Sequence, residues 1–281
     1  MRNERRKSRQ FRGHFSRDWR EEKNLNQPFR AVILAAGKGS RLGPLTLSKP
    51  KCLVEVGGET ILSRQLGTLE SCGASDISVI SGHFGHKILD ARVRNVPNPR
   101  FAEMNMVGTL FNSGELERDD LDIVVSYGDI VYGTRVLNPL LSSEQDLSVV
   151  VDKDWLEIWS ERMANPLEDA ETLLLSDDGR ITDLGKVPKS IEEIQGQYIG
   201  LFKISKSAVQ SFSSVWRELD RRRDYDGQDF MNMYMTAYLR ELISRGWALE
   251  AVPIRGGWFE FDTPEDISTF QRLEASGKLR L

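Results

Sequence analysis

Cysteine is scarce in this chain: Cys52 and Cys72 are the only two among 281 residues. A single pair makes no disulfide framework, and a reduced, cytoplasmic setting is expected. Histidine is nearly as scarce, with three. His83 and His86 stand three apart, as zinc pairs sometimes do, but no other histidine or nearby cysteine completes a set. Long apolar runs are missing too. None approaches the roughly 18 uncharged residues of a membrane-spanning helix, and none follows the N-terminus as a secretory leader would. There is no internal repeat, no low-complexity linker and no evident serine–histidine–acid arrangement.

What remains is an ordinary globular composition, 40% apolar and 28% charged, on a chain long enough for a sizeable core. The net charge of −4 hides an asymmetry. Residues 1–30 hold ten Lys/Arg against four Asp/Glu, so the remaining 28 basic and 38 acidic residues leave the body at −10. Residues 1–28 read as a basic, poorly ordered extension, and residues 29–281 as a single domain with insertions in its second half. The acidic body argues against nucleic acid as the main partner and leaves a homodimer open.

Short apolar runs alternate with helical periodicities. "AVILAA" from Ala31, "DISVIS" from Asp76 and "LDIVVSYGD" from Leu121 read as strands buried on both faces. Between the first two, Leu62, Leu66 and Leu69 recur at helical spacing, with Thr60 as the cap and Gly73 as the stop. Farther on, "DLSVVVDK", "GQYIGLFKIS", "ALEAVPI" and "WFEFD" are expected strands. "SAVQSFSSVWREL" and "DFMNMYMTAYLRELISRG" are expected helices, the latter with Met231, Met235, Tyr238 and Leu242 on one core-facing side. Thr263, Pro264 and Asp266 form a strong helix start. The pattern predicts an α/β fold with a mostly parallel sheet and crossover helices.

The segment that carries chemistry is "AVILAAGKGSRLGPLTLSKPK", residues 31–51. It is not a Walker loop, because Gly37–Lys38 is followed by Gly39 and no glycine stands five positions earlier. It is a poor dinucleotide fingerprint, because the third glycine should fall on Leu42. Its physical content persists: bare backbone at Gly37 and Gly39, a planar multi-donor fork at Arg41 and a mobile cation at Lys51, all just past a buried strand. A triphosphate would use all of them.

Two acidic positions complement those cations. Asp129 ends an apolar strand, where its side chain emerges beside the mouth of the first loop. In "GWFEFDTPED", an extended backbone puts Glu260 and Asp262 on one face and Phe259 and Phe261 on the other. Adjacent carboxylates repel unless a cation sits near them, and magnesium on a triphosphate wants one or two such groups.

"LAAGKGSRLGPLTLSKPK" resembles the signature of the sugar-nucleotidyltransferase superfamily, L-A-A-G-x-G-[ST]-R-[LM]-x-P-L-T with K-P-K downstream. The resemblance implies a Rossmann-like mixed, mostly parallel sheet of the nucleotide-diphospho-sugar transferase type. It implies that Leu34, Ala35, Ala36, Gly37, Lys38, Gly39 and Ser40 line the nucleotide, with Arg41 and Lys51 on phosphate. It implies Mg2+ on Asp129 and Asp262, with Glu260 as a helper, and Lys186 at the phosphate of the second substrate. Asn105 and Thr109 occupy positions where relatives contact nucleotide or acceptor, and the position of Gly82 and His83 just after the second strand suggests that they line the base pocket. Trp155, Trp159 and Arg162 offer two readings, an aromatic wall with a cation near the acceptor or tryptophans that bury a surface helix, with Arg162 assigned to the acceptor. The segments "NMVGTLF", "VSYGDIVY" and "FEFDTPEDI" resemble the cytidylyltransferase branch, which includes phosphocholine, inositol-phosphate, phosphoglutamine and phosphonate enzymes. The expected activity is CTP-dependent transfer of CMP to a small phosphate- or phosphonate-bearing acceptor, with release of pyrophosphate and no membrane partner. The alternatives are a hexose-1-phosphate thymidylyl- or uridylyltransferase and a non-catalytic nucleotide-binding module.

Overall fold

The computed structural model describes residues 27–281, so the basic extension expected over residues 1–28 lies almost entirely outside the described residues. In chain order the first half contains strands β1 Phe29–Ala35, β2 Glu55–Val56, β3 Glu59–Thr60, β4 Ala74–Ser81, β5 Arg94–Pro97, β6 Ile123–Tyr127 and β7 Ile130–Tyr132. The second half adds β8 Leu147–Asp152, β9 Leu173–Leu175, β10 Arg180–Leu184, β11 Gln197–Ile204, β12 Leu249–Ile254 and β13 Trp258–Glu260. The helices are α1 Ile61–Ser71, α2 Met106–Phe111, α3 Thr134–Ser142, α4 Trp155–Arg162, α5 Val209–Glu218, α6 Met235–Ser244 and α7 Pro264–Ala275.

Nine strands form one sheet in the order β5-β4-β1-β6-β11-β8-β12-β10-β9. β1 pairs in parallel with β4 and β6, β4 with β5, and β8 with β12. β11 and β10 run against their neighbours, which makes the sheet mixed while most strands share one direction. β1 is central because it is apolar on both faces: Ala31, Val32 and Ile33 are completely buried between two helical layers. The C-terminal ends of β1, β4 and β6 therefore open side by side, the place where such sheets bind ligands.

α1 forms as its spacing predicts, with the Thr60 hydroxyl accepting from Ser63 N at 3.0 Å. The methionine-rich helix begins later than its periodicity suggests. Met231 lies in a 3-10 turn, Phe230–Asn232, that Asp229 caps through the amides of Met231 and Asn232, and α6 starts at Met235. The β9–β10 hairpin forms the far edge of the sheet. It pairs with β12 only at Arg180–Glu250 and Ile181–Leu249. Its far end returns beside the start of β11, where Leu173 bridges Ile194 and the Gln197 side chain accepts from Glu171 N at 3.1 Å. Among the described residues no helix is long and apolar enough to cross a membrane.

At its N-terminal end, away from the cleft, β1 carries a buried arginine. Arg30 is 1% exposed and donates to Glu115 Oε2 at 3.0 Å; Ser78 and Arg94 bind the same carboxylate. Removing one member of a buried pair leaves the other charge uncompensated. Glu115→Ala is expected to destabilise the fold by about 3 kcal/mol, read as a lower urea midpoint at unchanged slope.

Candidate active site

The site begins where β1 runs out. Gly39 adopts φ +62°, and a Cβ there would sit 3.0 Å from the Lys51 Cβ and 3.2 Å from the Thr46 methyl, so glycine is required both for conformation and for space. Thr46 fastens the loop by donating its hydroxyl to Gly39 O at 2.9 Å. Leu42, where a dinucleotide loop would need glycine, is fully buried. Together these put Leu34, Ala35, Gly37, Gly39, Ser40, Arg41 and Lys51 around a cleft of about 230 Å³ that Cys52, Gly128 and Asp129 complete.

Asp129 arrives from β6. Gly128 precedes it because a Cβ there would lie 2.8 Å from both Ala35 Cβ and Leu34 O. The turn is held by Gln65 of α1, fully buried, whose amide donates to Tyr127 O at 2.9 Å and Ile130 O at 2.6 Å. The second acidic segment reaches the same place through a two-stranded ribbon. β13 pairs antiparallel with β7, Glu260 opposite Ile130, and Phe261 N then donates to Asp129 O at 3.0 Å. Phe259 and Phe261 are fully buried in the core, as alternation requires, which turns Glu260 and Asp262 the other way.

The result is a dense charge cluster. Lys51 Nζ donates to Asp129 Oδ2 at 2.9 Å and to Asp262 Oδ1 at 2.8 Å. Arg41 donates to the same Asp262 oxygen at 2.8 Å. Burial opposes the charge on Lys51, but Asp129 and Asp262 outweigh it and hold the ammonium above its usual range. Burial likewise opposes the charge on Asp262, yet Lys51 holds that carboxyl below its usual value. Glu260 is different: burial, with Asp262 beside it, pushes its carboxyl up to about 8.

Asp129, Glu260 and Asp262 each offer an oxygen within 4.8 Å of the others. The second Asp129 oxygen, Oδ1, is buried without a hydrogen-bond partner among the described residues. An all-carboxylate set with an orphaned oxygen fits a hard divalent cation such as Mg2+, which takes oxygen ligands.

Several expected residues sit elsewhere. Lys38 is exposed on the loop. Ala36 is buried and its carbonyl accepts from His83 N at 3.3 Å; Gly82 packs onto the same carbonyl. The His83 ring lies tilted against those of Phe84 and Phe101, with centroids 4.3 and 6.2 Å away. Asn105 caps α2, and Thr109 is buried with its hydroxyl accepting from Asn98 at 3.1 Å. Lys186 is exposed and paired with Asp183 at 2.6 Å.

Of the two readings of Trp155 and Trp159, burial holds: they are 4% and 3% exposed, and the acceptor contact expected of Arg162 requires correction. The Arg162 side chain, 2% exposed, faces Glu260, Asp262 and Asp266 at 3.2, 3.2 and 2.9 Å. Three carboxylates saturate its fork, so it braces the acidic segment rather than meeting a ligand. Asp266 does double duty, because its other oxygen accepts from Asp262 N at 2.8 Å as part of the α7 cap. Sequence reasoning missed Gln65, although a glutamine in the apolar stripe of α1 was the available signal. It also missed the bracing pair of Arg162 and Asp266, for which no local signal exists.

Residues 31–184 match the MobA-like NTP transferase domain. A CTP:phosphoglutamine cytidylyltransferase of Campylobacter jejuni is 39% identical over 247 residues, 84% of this chain and 97% of that protein. A CMP-5'-(3-aminopropyl)phosphonate synthase of Streptomyces rubellomurinus is 29% identical over 85% of this chain and 38% of its own length. Among solved structures, the inositol-1-phosphate CTP transferase of T. maritima superposes with TM-score 0.67 at 18% identity, covering 89% of this chain and 97% of its own. The CTP:phosphocholine cytidylyltransferase of Streptococcus pneumoniae does so with TM-score 0.63 at 21% identity, covering 88% and 98%. The structural likeness speaks to the fold; the domain match and the 39% identity across nearly a whole relative go further, and by them the chain belongs to the MobA-like NTP transferase family and is a nucleotidyltransferase.

Proposed function

We propose that this protein is a CTP-dependent cytidylyltransferase that joins CMP to a small phosphate- or phosphonate-bearing acceptor and releases pyrophosphate. The observation that carries the reading is the meeting of the loop cations Arg41 and Lys51 with Asp129 and Asp262 at one cleft. Support for cytidine as the base comes from the relatives named above, whose own activities use CTP or make CMP conjugates.

Asp129 and Asp262, with Glu260 beside them, are the residues that would hold Mg2+; the ion supplies charge neutralisation for the triphosphate. Arg41 and Lys51, which neutralise these carboxylates here, are the cations that would meet the phosphates of the nucleotide. Open backbone at Gly37, where an added Cβ would meet no atom within 4 Å, leaves room for phosphate oxygens to approach the amides. The acceptor's phosphoryl or phosphonyl group is already anionic at neutral pH, so no general base is required. Its oxygen attacks the α-phosphorus of CTP. The new P–O bond forms as the bond to the bridging oxygen breaks, and pyrophosphate leaves with that electron pair. Arg41 and Lys51 stabilise the charge as it redistributes, and the rest of catalysis is positioning. Ala36, Lys38, Ser40, Gly82, His83, Asn105 and Thr109 stay assigned to the nucleotide, and Lys186 to the acceptor phosphate, as parts of this proposal.

Pyrophosphate release measured with each NTP against phosphorylated and phosphonate acceptors is expected to favour CTP; equal turnover with UTP or dTTP removes the cytidylyl assignment. Lys51→Ala and Asp262→Asn are each expected to lower kcat by about 10²–10³-fold, the scale of one lost preorganised contact. Asp129→Asn is expected to weaken Mn2+ binding followed by electron paramagnetic resonance, with or without substrate. Arg162→Met is expected to cost about 3 kcal/mol in urea unfolding, because it leaves three facing carboxylates without their shared cation.

A further inference from the structure

The acidic segment and the helix that braces it share one further anchor. Asp152 closes β8 and is completely buried. Its Oδ1 accepts from Asp154 N at 2.9 Å and from Gly256 N at 3.0 Å, and its Oδ2 accepts from Trp258 Nε1 at 2.7 Å. No cation pairs with it among the described residues: Lys153 donates to Gln195 O and Arg255 to Asp154. A carboxylate held in the interior without a counter-charge is costly, and the three N–H donors that converge on its two oxygens offset that cost.

Each donor belongs to a part that shapes the cleft. Asp154 immediately precedes α4, the helix that delivers Arg162 to Glu260, Asp262 and Asp266. Gly256 stands in the turn from β12 into β13, where it and Gly257 adopt φ +59° and +83°. Trp258 is the first residue of β13, opposite Tyr132. Strand alternation puts Trp258 on the same face as Glu260, with Phe259 on the other. The bond to Trp258 therefore pins the face of the ribbon that presents the carboxylates, and the bond to Asp154 pins the start of the helix behind them. The Trp258 ring also packs 5.8 Å from that of Trp159 on α4, which joins the two parts directly.

We propose that Asp152 is a positioning residue for the transfer reaction: it sets where Glu260 and Asp262 stand relative to Asp129, and so how tightly the three carboxylates hold a divalent cation. This deepens the transferase reading and rests on it. Asp129 follows β6 of the main sheet and its turn is held by Gln65, whereas the acidic segment continues from a three-residue strand that pairs with β7 alone, outside that sheet. A two-stranded ribbon is marginal by itself. Asp152 ties it to the last residue of a main-sheet strand, and groups that orient metal-holding carboxylates in this way govern metal affinity without touching the metal.

The test measures Mn2+ affinity by electron paramagnetic resonance, pyrophosphate release from CTP, and melting temperature in the full-length protein. Asp152→Asn keeps one acceptor oxygen but turns an amide N–H2 toward at least one of the three donors. It is expected to weaken Mn2+ binding and to lower kcat by about 10-fold or more, while the KM for CTP, set by the loop after β1, stays unchanged. Trp258→Phe removes a single donor and is expected to weaken Mn2+ binding several-fold; it carries the test if Asp152→Asn does not fold. Combining the two relieves the opposed donors, so the double variant is expected to bind Mn2+ at least about threefold more tightly than Asp152→Asn alone. A lower melting temperature with Mn2+ affinity and kcat unchanged in the single variants, or losses that simply add in the double variant, overturns the positioning role. Weakened Mn2+ binding in the variants of a protein that itself releases no pyrophosphate from CTP upholds the positioning of the carboxylates and overturns the transferase reading instead.

Discussion

Lys51 bridges Asp129 and Asp262, and most of the second half of the site is arranged so that this bridge can exist. Bringing two carboxylates together inside a protein costs several kcal/mol per desolvated ion unless opposite charge is delivered with good geometry. Here the delivery is a matter of backbone. The β7–β13 ribbon fixes the register, the Phe261 amide ties the acidic segment to Asp129 O, and the aromatic side chains of Phe259 and Phe261 anchor it to the core. A one-residue slip in that ribbon would exchange carboxylates for phenyl rings and abolish the site.

A second tier of charge supports the first. Arg162 on α4 and Asp266 on α7 hold Glu260 and Asp262 from behind, and Asp266 also fixes the Asp262 amide. The carboxylates nearest the cleft are therefore oriented by groups that are themselves buried and paired, as metal-holding carboxylates generally are. Gln65 does the same for the Asp129 turn from the opposite side, through carbonyls rather than side chains. The nucleotide loop is braced more simply, by Thr46 and by the close approach of Gly39 to Lys51.

The sequence by itself determined the parts whose physics is local. The glycine-and-cation loop after β1, the Thr60 and Thr263 helix starts and the strand alternation that puts Glu260 with Asp262 all depend on neighbours within a few residues, and their residue types announce them. One expectation failed for the complementary reason. Arg162 looked like an acceptor contact because cationic chemistry is visible in a sequence, whereas its burial against α7 and β13 is not, and that burial also decides for Trp155 and Trp159 between an acceptor wall and a packed helix face. Tertiary structure alone decided that Arg162 would be saturated by three acids and that Gln65 would clamp the Asp129 turn. Each depends on which distant segments meet, and desolvation turns the meeting of ordinary polar residues into a site.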